Sequence, residues 1–247
     1  MCLCVLLHRE LPGYPLVVAA NREEAYERPS RAPAWVGPEG AVFAGLDAVA
    51  GGTWQGVNPH GLVVAVTNRS AGDLDPQRRS RGRLCLDALR HASARQARDW
   101  AVDHLSRETY NPHNLLIADA GYAVVIHYHD RPRVSELEPG LHLLAETDVD
   151  DPDHPRVERV KDVLGGRPWP DWNTARSELR ELMADHASGR PAGQQLCRHG
   201  EVAGTVSSSL VAVGADGLRG AHFLFAPGPP CTSPYQDLSR VLRAGAS

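Results

Sequence analysis

At 247 residues, with 42% hydrophobic and 23% charged side chains, the chain has room for one large α/β or α+β domain with a real core. A formal net charge of −4, with Lys161 the sole lysine and the arginines scattered, argues against a nucleic-acid partner, which needs a concentrated basic surface. The five cysteines, Cys2, Cys4, Cys85, Cys197 and Cys231, are odd in number and lack the paired short spacings of a zinc site, so no metal is expected and a reducing cytosol is implied.

Cys2–His8 and Leu16–Asn21 are apolar runs around Glu10-Leu11-Pro12-Gly13-Tyr14-Pro15, whose proline and glycine mark a tight reversal, so they predict a hairpin. The second strand then delivers Asn21-Arg22-Glu23-Glu24 beside the start of the first. Arg28-Pro29-Ser30-Arg31-Ala32-Pro33 predicts an extended loop, because each proline removes a ladder donor. Val42–Asp47, Thr53–Val57 and Leu62–Asn68 read as short strands, with turns at Gly51-Gly52 and Asn58-Pro59-His60-Gly61. Ala71–Gln77 is polar and turn-rich, and Arg78-Arg79-Ser80-Arg81-Gly82-Arg83 reads as the solvated start of a helix, with an anion-binding loop as the alternative. The period changes at Arg83–His91 and Ala94–Leu105, which fit amphipathic helices, the second capped by Ser93. Strands follow at Asn114–Ala118, Ala123–Tyr128, Arg133–Leu137 and Leu141–Ala145, then helices at Pro155–Leu164 and Thr174–His186. Thr205–Val213 and Ala221–Phe225 are the last strands, before a short terminal helix. No strand of the first third is followed at once by a helix, which excludes a Rossmann start. Segregated blocks of strands and helices predict one α+β domain over residues 1–247; a four-layer αββα sandwich of two antiparallel sheets between two helical layers fits that order, and a single-sheet α+β domain is the alternative.

The N-terminus carries no basic lead with an apolar stretch and cleavage site, and no apolar run approaches membrane-spanning length. It does carry Cys2 directly behind the initiator. Removal of a methionine is efficient before a small side chain, so the mature chain is expected to begin at Cys2 with a free α-amine. An amine of pKa about 7.7–8 beside a thiol of about 8.5 can take the thiol's proton, so one residue supplies nucleophile and base. Arg22 is a permanent cation able to steady a thiolate. The competing reading of Cys2 is a small apolar residue opening an edge strand.

Several segments in this order resemble the NRDE family, that of the transport and Golgi organisation protein 2 homologues. They are Met1-Cys2, Ala19-Ala20-Asn21-Arg22-Glu23-Glu24 with Arg28-Pro29, Ala44-Gly45-Leu46-Asp47, Gly51-Gly52-Thr53-Trp54-Gln55-Gly56-Val57-Asn58, Gly61 and Thr67-Asn68-Arg69, and later Gly204-Thr205-Val206-Ser207-Ser208-Ser209. The family's Asn-Arg-Asp-Glu motif stands here as Asn21-Arg22-Glu23-Glu24, one acid lengthened by a methylene. The resemblance implies the fold of the N-terminal-nucleophile (Ntn) hydrolases. The Asn58-x-x-Gly61-Leu62…Asn68 stretch also looks like the choloylglycine hydrolase and penicillin acylase branch, whose enzymes cleave amides with an N-terminal cysteine.

Carried over residue by residue, this implies Cys2 as nucleophile, Arg22 beside it and the Asn68 backbone N–H as an oxyanion donor. Asn21, Glu24, Thr53 and Trp54 are then expected at the substrate site. The implied target is the C–N amide or ester carbonyl of a small molecule, for hydrolysis or acyl transfer, with no cofactor for catalysis. This chain departs from the branch at Glu146, an acceptor when ionised, where an oxyanion-hole asparagine is placed, and at Val206, where homologues often carry an arginine. Since eukaryotic members are implicated in haem movement and lipid metabolism, the alternative is a non-catalytic carrier of haem or an acyl-lipid, with His8, His60 and Cys4 as candidate axial ligands. His127 and His129 share a strand face but lack a third ligand at suitable spacing.

Overall fold

The computed structural model describes residues 2–37, 41–70 and 74–245. Met1, whose removal the sequence predicts, and residues 71–73 of the turn-rich stretch lie outside them. The chain opens with the expected hairpin, β1 (Cys2–Leu11) and β2 (Tyr14–Ala25), which turns at Gly13 with a φ of 78° that glycine adopts without steric cost. β3 (Ser30–Val36), β4 (Val42–Asp47), β5 (Gln55–Val57) and β6 (Val63–Asn68) follow, then α1 (Arg81–Ala88) and α2 (Ala94–Arg107). Next come β7 (His113–Ala118), β8 (Ala123–Tyr128), β9 (Pro132–Leu137) and β10 (Gly140–Leu144), then α3 (Pro155–Leu164) and α4 (Trp172–Met183). β11 (Ala203–Gly214), β12 (Gly217–Ala226), β13 (Gln236–Asp237) and α5 (Ser239–Ala244) complete it.

One sheet has the order β10-β1-β2-β11-β12-β13 and the other β3-β4-β5-β6-β7-β8-β9, with every neighbouring pair antiparallel. Alternation along the strands builds the layers. On β1, Leu3, Val5 and Leu7 pack under α3 and α4 with Val160, Leu164, Leu179 and Met183, while Cys4 and Leu6 face the other sheet and meet Val63, Ala65 and Leu116. The outer face of the second sheet is covered by Leu84, Leu89, Ala97 and Leu105 of the α1–α2 region. This is the expected αββα sandwich.

The helix starts follow their sequence signals. The Ser93 hydroxyl accepts the Gln96 N–H and the Asp171 carboxylate that of Thr174, satisfying first-turn donors. The Arg28–Pro33 stretch is the exception, since from Ser30 onward it is a strand and not a loop. β3 lies at a sheet edge, and its register with β4 shifts between Arg31 and Ala34, so Pro33 sits where the ladder is already broken. Among the described residues no helix is long and apolar enough to cross a membrane.

Candidate active site

In the β1–β2 ladder Cys2 lies opposite Arg22 and Leu3 opposite Asn21. Side chains alternate along a strand, so Asn21-Arg22-Glu23-Glu24 divides between the two faces of its sheet. Asn21 and Glu23 point to the helical layer. Asn21 is fully buried and its Nδ2 donates to the carbonyls of Met183 (2.9 Å) and Leu196 (2.8 Å). It does not line the cleft that holds the other predicted site residues. Glu23 receives a 2.6 Å hydrogen bond from Arg156 Nη2 on α3. Burial pushes the Glu23 carboxyl up, with Arg156 acting against it.

Arg22 and Glu24 face the other way, into a cleft of about 980 Å³ at the ends of the sheets and the start of α1. Cys2, Arg22, Glu24, Thr53, Trp54 and Asn68 all line it. Six of the seven predicted site residues thus meet, drawn from β1, β2, β6 and the segment before β5. Arg22 is only 4% exposed, stacked 4.6 Å from the Trp54 ring centroid, with Nη2 3.5 Å from Asp47 Oδ2. That Asp47 oxygen also accepts from Arg28 Nε at 2.6 Å, while Oδ1 takes the Val49 and Ala50 N–H groups. Burial raises the Asp47 pKa, but these bonds outweigh it and hold the carboxyl below its usual range. Glu24 lies 3.6 Å from Arg28 and closes the ion network. Thr53 turns its hydroxyl inward, onto the Gln55 carbonyl at 2.8 Å, so its hydroxyl is committed to the fold.

Burial pushes the Cys2 thiol up. A backbone hydrogen bond from Glu23 and the Arg22 charge work against that without reversing it. The resting group is a thiol, so attack on a carbonyl requires a base at the moment of reaction.

Two parts of the cleft escaped the sequence reading. Asp47 was visible only as a motif residue, and its hold on Arg22 and Arg28 depends on β4 lying across the sandwich from β2. Arg78, Arg79, Arg81 and Arg83, expected as the solvated start of a helix, form a wall of the cleft. Arg81 is anchored by a 3.1 Å bond to the Pro112 carbonyl, and burial lowers its pKa while the Glu24 charge opposes that. Gly52 sets this wall. Thr53 N–H donates to the Gly82 carbonyl at 3.0 Å, and a Cβ on Gly52 would stand 2.3 Å from the Gly82 carbonyl carbon.

The departures remain. Burial raises the Glu146 pKa, but His154 and Arg156 overcome it and bring it down to about 2, so this side chain is an ionised acceptor. It does not line the cleft. Val206 falls in the β11–β2 register shift between Thr205 and Ser207. The three candidate haem ligands lie apart from one another. Cys4 and His8 are both buried on β1, four residues and about 13 Å apart, too far to share an iron. His60 is exposed in a turn, and none of the three lines the cleft. His127 bonds Asn114 Oδ1 at 2.8 Å while His129 is exposed on Asp130, so they share no site. Four donors from three segments, His186 after α4, Cys197 and His199 before β11 and Cys231 after β12, do converge.

The family described as Transport and Golgi organisation 2 matches residues 1–207. The chain belongs to this family. The human transport and Golgi organization protein 2 homolog is 29% identical over 241 residues, covering 83% of this chain and 84% of its own length. The mouse homolog is 32% identical over 155 residues, 57% of this chain and 53% of the mouse protein. Among solved structures, a Caenorhabditis elegans N-acylethanolamine-hydrolyzing acid amidase ortholog superposes with a TM-score of 0.53 at 16% identity, covering 85% of this chain and 92% of that one. The C2A mutant of the conjugated bile acid hydrolase from Clostridium perfringens gives 0.53 at 11% identity, with 97% and 93% covered. At such identities the likeness is one of fold, that of the Ntn hydrolases.

Proposed function

We propose that this family member is a cysteine amidohydrolase or acyltransferase of the Ntn type. The observation that carries the reading is the pairing of Cys2 with Arg22 at the base of a cleft that Asn68 also lines. Once Met1 is removed, the Cys2 α-amine takes the thiol proton as Sγ attacks the carbonyl of an amide or ester. The new C–S bond pushes charge onto the carbonyl oxygen, where the Asn68 N–H receives it. Collapse breaks the C–N or C–O bond, and the α-ammonium returns its proton to the leaving amine or alcohol. Water, or a second amine, then releases the acyl group from the thioester and regenerates the thiol.

The ion network and the arginines of the α1 wall favour a small substrate carrying a carboxylate or another anionic group beside its acyl bond. A reducing cytosol, in which Cys2 stays a thiol, is the compartment that suits this chemistry. The test is intact mass of the purified protein before and after exposure to a panel of activated acyl donors. Expected are loss of Met1 and one acyl adduct mapped to Cys2, absent in Cys2→Ala, which keeps its fold. Retained Met1, or an adduct on another cysteine, overturns the mechanism.

A further inference from the structure

We propose that His186, Cys197, His199 and Cys231, none of which lines the cleft, form a zinc site. Each offers one ligand atom, and the four atoms all lie within 4.8 Å of one another. Their mutual distances already approach those of a coordination tetrahedron. Cys197 Sγ stands 3.7 Å from Cys231 Sγ and 3.7 Å from His199 Nε2, and His199 Nε2 is 3.3 Å from Cys231 Sγ. A tetrahedral zinc with bonds of about 2.3 Å to sulfur and about 2.0 Å to nitrogen sets its ligand atoms about 3.4–3.8 Å apart.

His186 completes the set. Its ring lies 5.2 Å from that of His199, and its Nδ1 is 3.2 Å from the Cys197 carbonyl oxygen. An Nδ1–H held by a backbone carbonyl leaves Nε2 with its lone pair free, the arrangement that orients metal-bound histidines. Both cysteines are unbonded thiols, Cys197 buried at 1% exposure and Cys231 partly open, so an ion has a route in.

Two thiolates and two imidazoles select zinc over magnesium or calcium, which take oxygen donors, and four protein ligands leave no open position for a substrate. The site is therefore structural. His186 follows α4, Cys197 and His199 precede β11, and Cys231 follows β12, so one ion would join three segments far apart in sequence. Binding exchanges two thiol protons for the metal and leaves the centre neutral. A centre of this kind does not depend on whether Cys2 is catalytic.

The experiment uses the full chain purified under reducing conditions without chelator, and then the chelated protein titrated with cobalt(II). Expected are one zinc per chain by elemental mass spectrometry, and one equivalent of cobalt producing the sulfur-to-metal charge-transfer and visible d–d bands of a tetrahedral thiolate site. Cys231→Ser and His199→Gln, both at accessible positions, should weaken cobalt binding at least about tenfold, whereas Cys2→Ala should bind as the unaltered chain does. Added zinc should raise the melting temperature of the unaltered chain and not that of Cys231→Ser. Sub-stoichiometric metal with no cobalt bands, bands that persist in Cys231→Ser, or a Cys197–Cys231 disulfide in freshly purified protein would each overturn the proposal.

Discussion

The division of the Asn21-Arg22-Glu23-Glu24 motif between two faces makes a quantitative prediction at Glu23 and Arg156. Both are buried, at 6% and 1% exposure, and joined by a 2.6 Å bond. Removing one partner of a buried pair costs about 3–5 kcal/mol, because the other charge is left without compensation. The two removals are not equivalent. Arg156→Met takes from Glu23 its 2.6 Å hydrogen bond, for which Arg198, half-exposed and 3.9 Å away, is a weaker substitute, so the loss belongs at the upper end. Glu23→Gln leaves Arg156 with Glu146 at 4.0 Å and belongs at the lower end. The pH dependence has a definite sign. The folded pKa of Glu23 is raised, so its contribution to stability is complete below the unfolded value of about 4.3 and is lost as pH rises through the folded value. Arg156→Met raises that folded value further. Its deficit should be largest at neutral pH and shrink on acidification, as Glu23 takes up a proton. Urea denaturation of both variants at pH 7 and pH 5 measures this. A cost below about 1 kcal/mol for Arg156→Met at pH 7, or a deficit that grows on acidification, would refute the claim that this half of the motif is structural.

Three further outcomes concern the cleft. Arg22→Lys should fold but acylate at least about tenfold more slowly in a time course with an activated acyl donor, because an ammonium neither spreads over Trp54 nor reaches Asp47 in the same geometry. Acylation of the unaltered chain should fall as pH drops through the α-amine range of about 7.7–8, since a protonated amine cannot accept the thiol proton; a pH-independent rate would remove the amine from the mechanism. Gly52→Ala should lower the acylation rate with an overpacking cost of about 1–3 kcal/mol by thermal melting, because its Cβ meets Gly82 backbone that cannot swing aside.

The fold was legible because its signals are local. The β1–β2 hairpin, the cap at Ser93 and the change from strand to helix period all lie within a few residues of what they organise. β3 was misread for a reason equally local. Pro33 does exclude a central strand, and only the place of β3 at the sheet edge, a property of the assembled sheet, makes room for it. Of the site, Cys2 and Arg22 could be matched because a hairpin fixes their register, whereas Asp47 and Arg81 act through contacts between layers.

Asn21 shows how a motif can mislead when it is read as a unit. Four adjacent residues on a strand necessarily face two directions, so a motif spanning a sheet between a cleft and a helical layer must serve both. Arg22 is held at the thiol because its neighbours Asn21 and Glu23 lock the strand to the helical layer, through the Met183 and Leu196 carbonyls and through Arg156. The same topology separates the four donors near Cys197 in sequence and joins them in space. An antiparallel sheet returns the chain repeatedly to one end, where residues as distant as His186 and Cys231 become neighbours.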